Sequence, residues 1–344
     1  MAALSLKEKP ATAAPADAGG SEAGPVLEKL LGMALDDDRK KAAGELVAVV
    51  AKHGLAALES MGIIPTLAAA LEETGKAGGQ RAGAMAAIDA LSFKFGSAFE
   101  PWTVRLLPQL FDTAGHKNGG VAKTAQDLTH RIVIGTSPSA VRLLLPTLFA
   151  AMKHDRAPVK VLALQAVKAL AEGSHRKQVA SELYEVVPVL SEMMWDCKDE
   201  VVAAANEAMV AACSTADNRD LAAFTGDIIG CVTTPENVPD CVHRLAATVF
   251  VQEIKSAALA VTVPLLTRGL NERDTVIRRK ACTIIDNMCK MIENPEEAVA
   301  FMPHILPLVA RASEEIADPE ARGVAAISPT PLVLSGHAAS LTQY

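Results

Sequence analysis

Cys282 and Cys289 stand seven residues apart, a spacing that places both thiols on one face of a helix. Two thiolates make half of a zinc site, and no further ligand stands at the spacing that would complete it. The other four cysteines, Cys197, Cys213, Cys231 and Cys241, are spread along the chain without a C-x-x-C pair, so all six read as reduced core residues of an intracellular protein. The eight His residues are scattered and lack Cys, Asp or Glu partners at metal spacing. Catalytic phrases are missing too: no G-x-G-x-x-G, no G-x-S-x-G and no H-E-x-x-H occurs. Gly75-Lys76 is followed by Ala77, and no glycine stands five residues before Gly75, so this is not a phosphate loop. The residues predict a chain that is not an enzyme and calls for no cofactor, metal or small-molecule substrate.

Charge offers a second kind of chemistry. The net charge of -7 excludes a wholly basic nucleic-acid sleeve, but the sum conceals a pattern. Ten basic residues between Arg81 and Lys160 face five acidic ones, and acids dominate from Glu182 to Asp240. A second basic group follows at Arg268, Arg273, Arg278, Arg279 and Lys280, around the turn Asn271-Glu272-Arg273. Alternating patches of this kind suit a partner that mixes polyanion with protein surface.

The elements that must carry these residues are helices. Half of the 344 residues are hydrophobic and only 3% are aromatic, with Ala abundant, a composition that favours close helix-on-helix packing over β structure. A phrase of two residues, mostly apolar, then proline, any residue and an aliphatic recurs along the chain. It reads Ile63-Ile64-Pro65-Thr66-Leu67, Leu106-Leu107-Pro108-Gln109-Leu110 and Leu144-Leu145-Pro146-Thr147-Leu148. It returns as Val186-Val187-Pro188-Val189-Leu190, Thr262-Val263-Pro264-Leu265-Leu266 and Ile305-Leu306-Pro307-Leu308-Val309, with a proline-free copy at Thr225-Gly226-Asp227-Ile228-Ile229. Successive copies stand 37 to 43 residues apart, at or near the length of HEAT and armadillo repeats.

A proline is tolerated in the first turn of a helix, so each phrase predicts the start of the first helix of a two-helix unit. Second helices follow over 155–170, 199–212 and 274–292. In the last of these Ile277, Ala281, Ile284, Ile285, Met288 and Ile292 share one face, Arg279, Asp286 and Lys290 lie opposite, and Asp286 can pair with Lys290. One such helix cannot bury its stripe alone, so repeats must stack. The expectation is an all-α fold, an α-solenoid of about seven HEAT/armadillo-type repeats of TOG-like character, over 25–325. Residues 1–24, rich in Ala, Pro and Gly, read as a disordered leader and 326–344 as a divergent, disordered tail. No stretch reads as an export signal or membrane span, which predicts a cytoplasmic protein with no membrane partner.

From about residue 185 onward the wording becomes distinctive. Val187-Pro188-Val189-Leu190-Ser191-Glu192 runs into Met194-Trp195-Asp196, and Asp217-Asn218, Val238-Pro239 and Phe250-Val251 follow. Arg268-Gly269-Leu270-Asn271-Glu272-Arg273, Ile285-Asp286-Asn287-Met288-Cys289-Lys290 and Ile316-Ala317-Asp318-Pro319-Glu320-Ala321-Arg322 continue the series. These strings resemble the N-terminal HEAT region of fungal-type translation elongation factor three. Over 25–184 the repeat pattern and scattered positions are similar. The resemblance implies a cytosolic protein whose HEAT region docks on ribosomal RNA and ribosomal proteins. In that family two ATP-binding cassettes further along the chain drive release of deacylated transfer RNA from the exit site. A related segment occurs in the ribosome-bound activator of the starvation-responsive kinase, a second candidate role, and a generic HEAT interaction scaffold is a third.

The resemblance breaks at Ser328-Pro329-Thr330-Pro331, which cannot continue a helix. No cassette follows in these residues, and Leu334-Ser335-Gly336 is only a chance echo of a cassette signature. The expectation is a ribosome-binding module without its motor. Its candidate contacts with ribosomal RNA are Arg268, Asn271, Arg273, Arg278, Arg279 and Lys280. Among them Arg279 is the one expected to project from the exposed side of its helix.

Overall fold

The computed structural model describes residues 22–73 and 78–315; the expected leader and tail lie almost wholly outside them. Among the described residues every regular element is a helix. They fall into two compact units, one ending at Ser137 and one beginning at Pro138. The first holds α1 (Ala23–Gly32), α2 (Asp36–His53), the single turn α3 (Ala57–Ser60), α4 (Ile63–Glu72), α5 (Gly79–Phe95), α6 (Glu100–Ala114) and α7 (Gly119–Gly135). The second opens with α8 (Val141–Met152), α9 (Ala157–Glu172), the short α10 (Arg176–Ser181), α11 (Leu183–Met193) and α12 (Asp199–Ser214). It continues with the single turn α13 (Arg219–Ala222), α14 (Thr225–Thr233), α15 (Val238–Ala246), α16 (Ser256–Leu270), α17 (Thr275–Lys290) and α18 (Met302–Glu315). Within each unit the longer helices pack as hairpins against the preceding hairpin, the α-solenoid arrangement. The α1–α2 hairpin escaped the sequence pattern because it carries no copy of the proline phrase.

From α4 onward the phrase does mark the first helix of each hairpin, but mostly beyond its first turn. Pro65 lies in the opening turn of α4, whereas Pro108, Pro146, Pro188, Pro264 and Pro307 lie inside α6, α8, α11, α16 and α18. The correction has a simple physical basis. An internal proline leaves the carbonyl four residues earlier without its N–H partner. Five of these six prolines are exposed and Pro264 is half-buried, so most of the rings sit toward water. The flanking aliphatics turn inward: Leu106, Leu107 and Leu110 are buried around Pro108, and Leu144, Leu145 and Leu148 around Pro146.

Small side chains let the helices approach closely. Gly83 of α5 lies so near α1 that a β-carbon there would stand 2.7 Å from the Leu30 carbonyl oxygen. On α17, Ile277, Ala281, Ile284, Ile285 and Met288 are buried as the stripe predicts, while Ile292 falls beyond the helix end. The predicted Asp286–Lys290 pair forms at 2.6 Å, although the Asp286 side chain is only 14% exposed and so lies at the edge of the stripe, not opposite it. Five cysteines are buried; Cys197, in the α11–α12 turn, is exposed, which corrects its reading as a core residue. Burial pushes the Cys213 thiol up to about 12, Cys282 to about 11 and Cys289 to about 12.

The repeat that lacks its proline is built differently. Its helices α14 and α15 have only nine residues each, and α11 of the preceding repeat packs directly on α16 of the following one. A hydrogen bond between the Cys231 and Cys241 thiols joins α14 to α15 and is the main cause that raises Cys241 and lowers Cys231. No single helix among the described residues is long and apolar enough to cross a membrane.

Candidate nucleic-acid interface

The six candidate contact residues run from the last turn of α16 through the connecting turn into α17, but the fold gives them unlike tasks. Arg268 sits one turn after Pro264, and its Nη1 donates to the carbonyls of Cys231 and, at 3.1 Å, Val232. Those are last-turn carbonyls of α14, which have no N–H of their own helix to accept. Arg268 therefore caps a short helix from the next repeat. Asn271 is likewise occupied: its Nδ2 donates to the Thr267 carbonyl at 2.8 Å and its Oδ1 accepts from Arg311.

On α17 the side chain of Arg278 is 16% exposed and pairs with Glu315 at 3.4 Å. Arg279 is half-buried and engaged, so the expectation that it projects freely into solvent is corrected. The stripe it was judged against was too narrow, because Cys282 and Cys289 are also buried and widen the covered arc. Lys280 donates to Nδ1 of His243, which reaches across from α15. Arg273 stands exposed in the α16–α17 turn with no side-chain partner among the described residues. Next to it Asp274 caps α17 by accepting from the Val276 N–H at 2.8 Å.

Two features could serve a polyanion. Arg273 is an exposed cation with no partner among the described residues to release before it binds a phosphate. Lys280 and His243 are two bases in contact, and neither has a carboxylate partner among the described residues. Most of the basic stretch between Arg81 and Lys160 is less available. Arg81 donates to the Glu73 carbonyl, Arg105 pairs with Glu59 and Arg131 with Asp89 at 2.8 Å. Lys153 pairs with Glu192 at 3.4 Å and Lys160 with Asp196 at 2.6 Å. Lys117, in the α6–α7 turn, and Lys123 keep no acidic partner among the described residues.

Among the described residues no three ligating side chains converge. A groove of about 410 Å³ beside Arg268 is lined by Tyr184, Pro188, Thr267, Phe301 and His304. Sequence reading also missed a set of exposed apolar residues, Trp195, Val249 and Val251 among them. Valines outside a helix carry no periodicity that would tell surface from core.

Comparison with known proteins gives this geometry a context. Residues 39–209 match the family model described as EF3 N-terminal HEAT repeat, and residues 236–340 match that described as Elongation factor 3/GNC1 HEAT repeat. Elongation factor 3A of Saccharomyces cerevisiae is 43% identical over 226 residues, 65% of this chain and 22% of that protein. Elongation factor 3 of Gonapodya prolifera is 34% identical over 320 residues, 90% of this chain and 29% of that protein. The chain thus spans between a fifth and a third of the length of these relatives. A designed armadillo repeat protein aligns over 78% of this chain and 99% of its own, at 14% identity and a TM-score of 0.31, too loosely to add to the fold described above.

Proposed function

Because this chain belongs to the elongation factor 3 family of HEAT-repeat proteins, we propose that it is a ribosome-docking module that acts in translation elongation in the cytoplasm. The observation that carries the reading is the pair of family models, which together tile most of the chain in order. Docking of this kind needs exposed, unneutralised cations opposite ribosomal RNA phosphates. Arg273 meets that requirement, and the Lys280–His243 pair meets it in part. Arg268, Asn271 and Arg278 take part by holding the surface in shape. The chain's own residues supply binding and positioning, and catalysis by the longer relatives is not assigned to it.

The test is ribosome co-sedimentation at graded salt with the double variant R273E/K280E. The expected result is weaker pelleting, with a shallower dependence on salt because each lost phosphate contact means about one fewer counterion released. Equal pelleting of variant and parent at low salt would remove both residues from the interface. Failure of the parent chain to pellet at any salt would refute the docking reading itself.

A further inference from the structure

The connections between successive repeats form a continuous ledge along one edge of the second unit. Three loops take part: 215–224, 247–255 and 291–301. Asp220 Oδ2 accepts from the backbone N–H groups of Val251 and Gln252, both at 2.8 Å, and the Gln252 Oε1 accepts from Arg219 N at 2.8 Å. The Asn218 Nδ2 donates to the Glu253 carbonyl at 3.4 Å. The second loop is tied to the third in the same way. Ile254 N donates to the Met291 carbonyl at 2.9 Å, and Ser256 N to Glu297 Oε2 at 2.7 Å.

This stitching holds apolar side chains out of the core. Residues 248–251 belong to no helix. Phe250 points inward and is 8% exposed, while Val249 and Val251 on either side are 79% and 76% exposed. Val299 on the third loop is 45% exposed. A loop that needed only to join two helices would gain nothing from two valines fixed in water. Rigid, exposed apolar groups instead lower the ordering cost of binding a partner.

The charge around the valines defines that partner. The three loops carry six carboxylates, Asp217, Asp220, Glu253, Glu293, Glu296 and Glu297, against two bases, Arg219 and Lys255. Phosphates of a nucleic acid would be repelled there, and a second copy of the same ledge would be repelled by its own charge. We infer that this ledge is a docking surface for a protein segment rich in Lys or Arg with interspersed aliphatic residues. Its aliphatic groups cover Val249, Val251 and Val299, and its cations face the carboxylates of the loops. The inference goes beyond ribosome docking and stands or falls without it.

The experiment uses the full chain and a fluorescein-labelled synthetic peptide of alternating Lys and Val, read by fluorescence anisotropy. The matched Lys-Gly peptide and a labelled oligouridylate serve as comparison probes. V249S/V251S should weaken the Lys-Val peptide about tenfold and leave the Lys-Gly peptide unchanged. E293K/E296K should weaken both peptides, with a loss that shrinks as salt rises. All four positions are exposed or nearly so, and circular dichroism melts of the variants should match the parent. Undiminished binding of the Lys-Val peptide by V249S/V251S would overturn the inference. So would displacement of that peptide by oligouridylate.

Discussion

Replacing Lys160 by Met should loosen the second unit between two particular repeats. Lys160 of α9 reaches Asp196 in the α11–α12 turn at 2.6 Å, and the two side chains are only 19% and 7% exposed. The same carboxylate accepts from the Lys198 N–H at 3.0 Å through its other oxygen. The Lys160 ammonium, ahead of that backbone contact, holds the Asp196 carboxyl below the usual carboxylate range. An exposed ion pair contributes about 0–1 kcal/mol. Breaking a fully buried one costs about 3–5 kcal/mol, because a charge is left without compensation. This pair lies between those limits, so K160M should cost about 2 kcal/mol. For a unit of this size that corresponds to a fall of roughly 4–8 °C in melting temperature.

The sign of the pH dependence follows from Asp196. A carboxyl depressed by folding stabilises above its unfolded value, near 3.9, and that stability is lost as pH falls through the folded value. The gap between K160M and parent should therefore be full at pH 7 and should close below about pH 4. K160M/D196N should recover part of the loss at pH 7, since it removes the stranded charge and keeps the oxygen that caps Lys198. Thermal melts at both pH values, with hydrogen exchange on α9 and α12, check this. A K160M deficit that is unchanged at low pH, or that D196N deepens, would refute the reasoning.

Two further outcomes follow from the same structure. R268M should destabilise the chain by about 1–2 kcal/mol and speed exchange at the end of α14, because the Cys231 and Val232 carbonyls lose their donor; its effect on ribosome pelleting should not vary with salt. Brief maleimide treatment of the native chain at neutral pH should label one cysteine, Cys197, while the five buried thiols react only in denaturant; intact-mass analysis before and after unfolding gives the count.

The helical repeat was legible because it rests on patterns one helix long. The phrase, recurring at 37 to 43 residues, marks every first helix from α4 onward, with proline in all but α14. The register of the prolines was not legible. A first-turn proline and a solvent-facing internal proline put the same residues beside it, and only packing decides which carbonyl is left facing water. The α14–α15 repeat gave a weaker signal still, since Asp227 stands where proline would and its helices are too short to show a clear period.

Charge availability failed for a different reason, and the reason is geometric. In a solenoid the neighbour of a surface side chain is found one repeat away along the sequence. The hydrogen bond from Arg268 reaches back 37 residues, Arg278 reaches forward 37 and Lys160 forward 36. A basic run such as Arg278-Arg279-Lys280 therefore looks free in the linear sequence, where no acid stands beside it, while Glu315 waits one period further on. The useful test of a charge in such a chain is the residue 36 to 42 positions away on either side. By that test Lys160 meets Asp196 and Arg131 meets Asp89, so neither cation of the basic stretch between Arg81 and Lys160 is free to dock. Arg273 shows where spacing alone is not enough: Glu236 stands 37 residues before it and Glu314 41 after, yet the structure pairs it with neither. A cation whose repeat partner is missing is the one that can bind a phosphate without first giving up a bond.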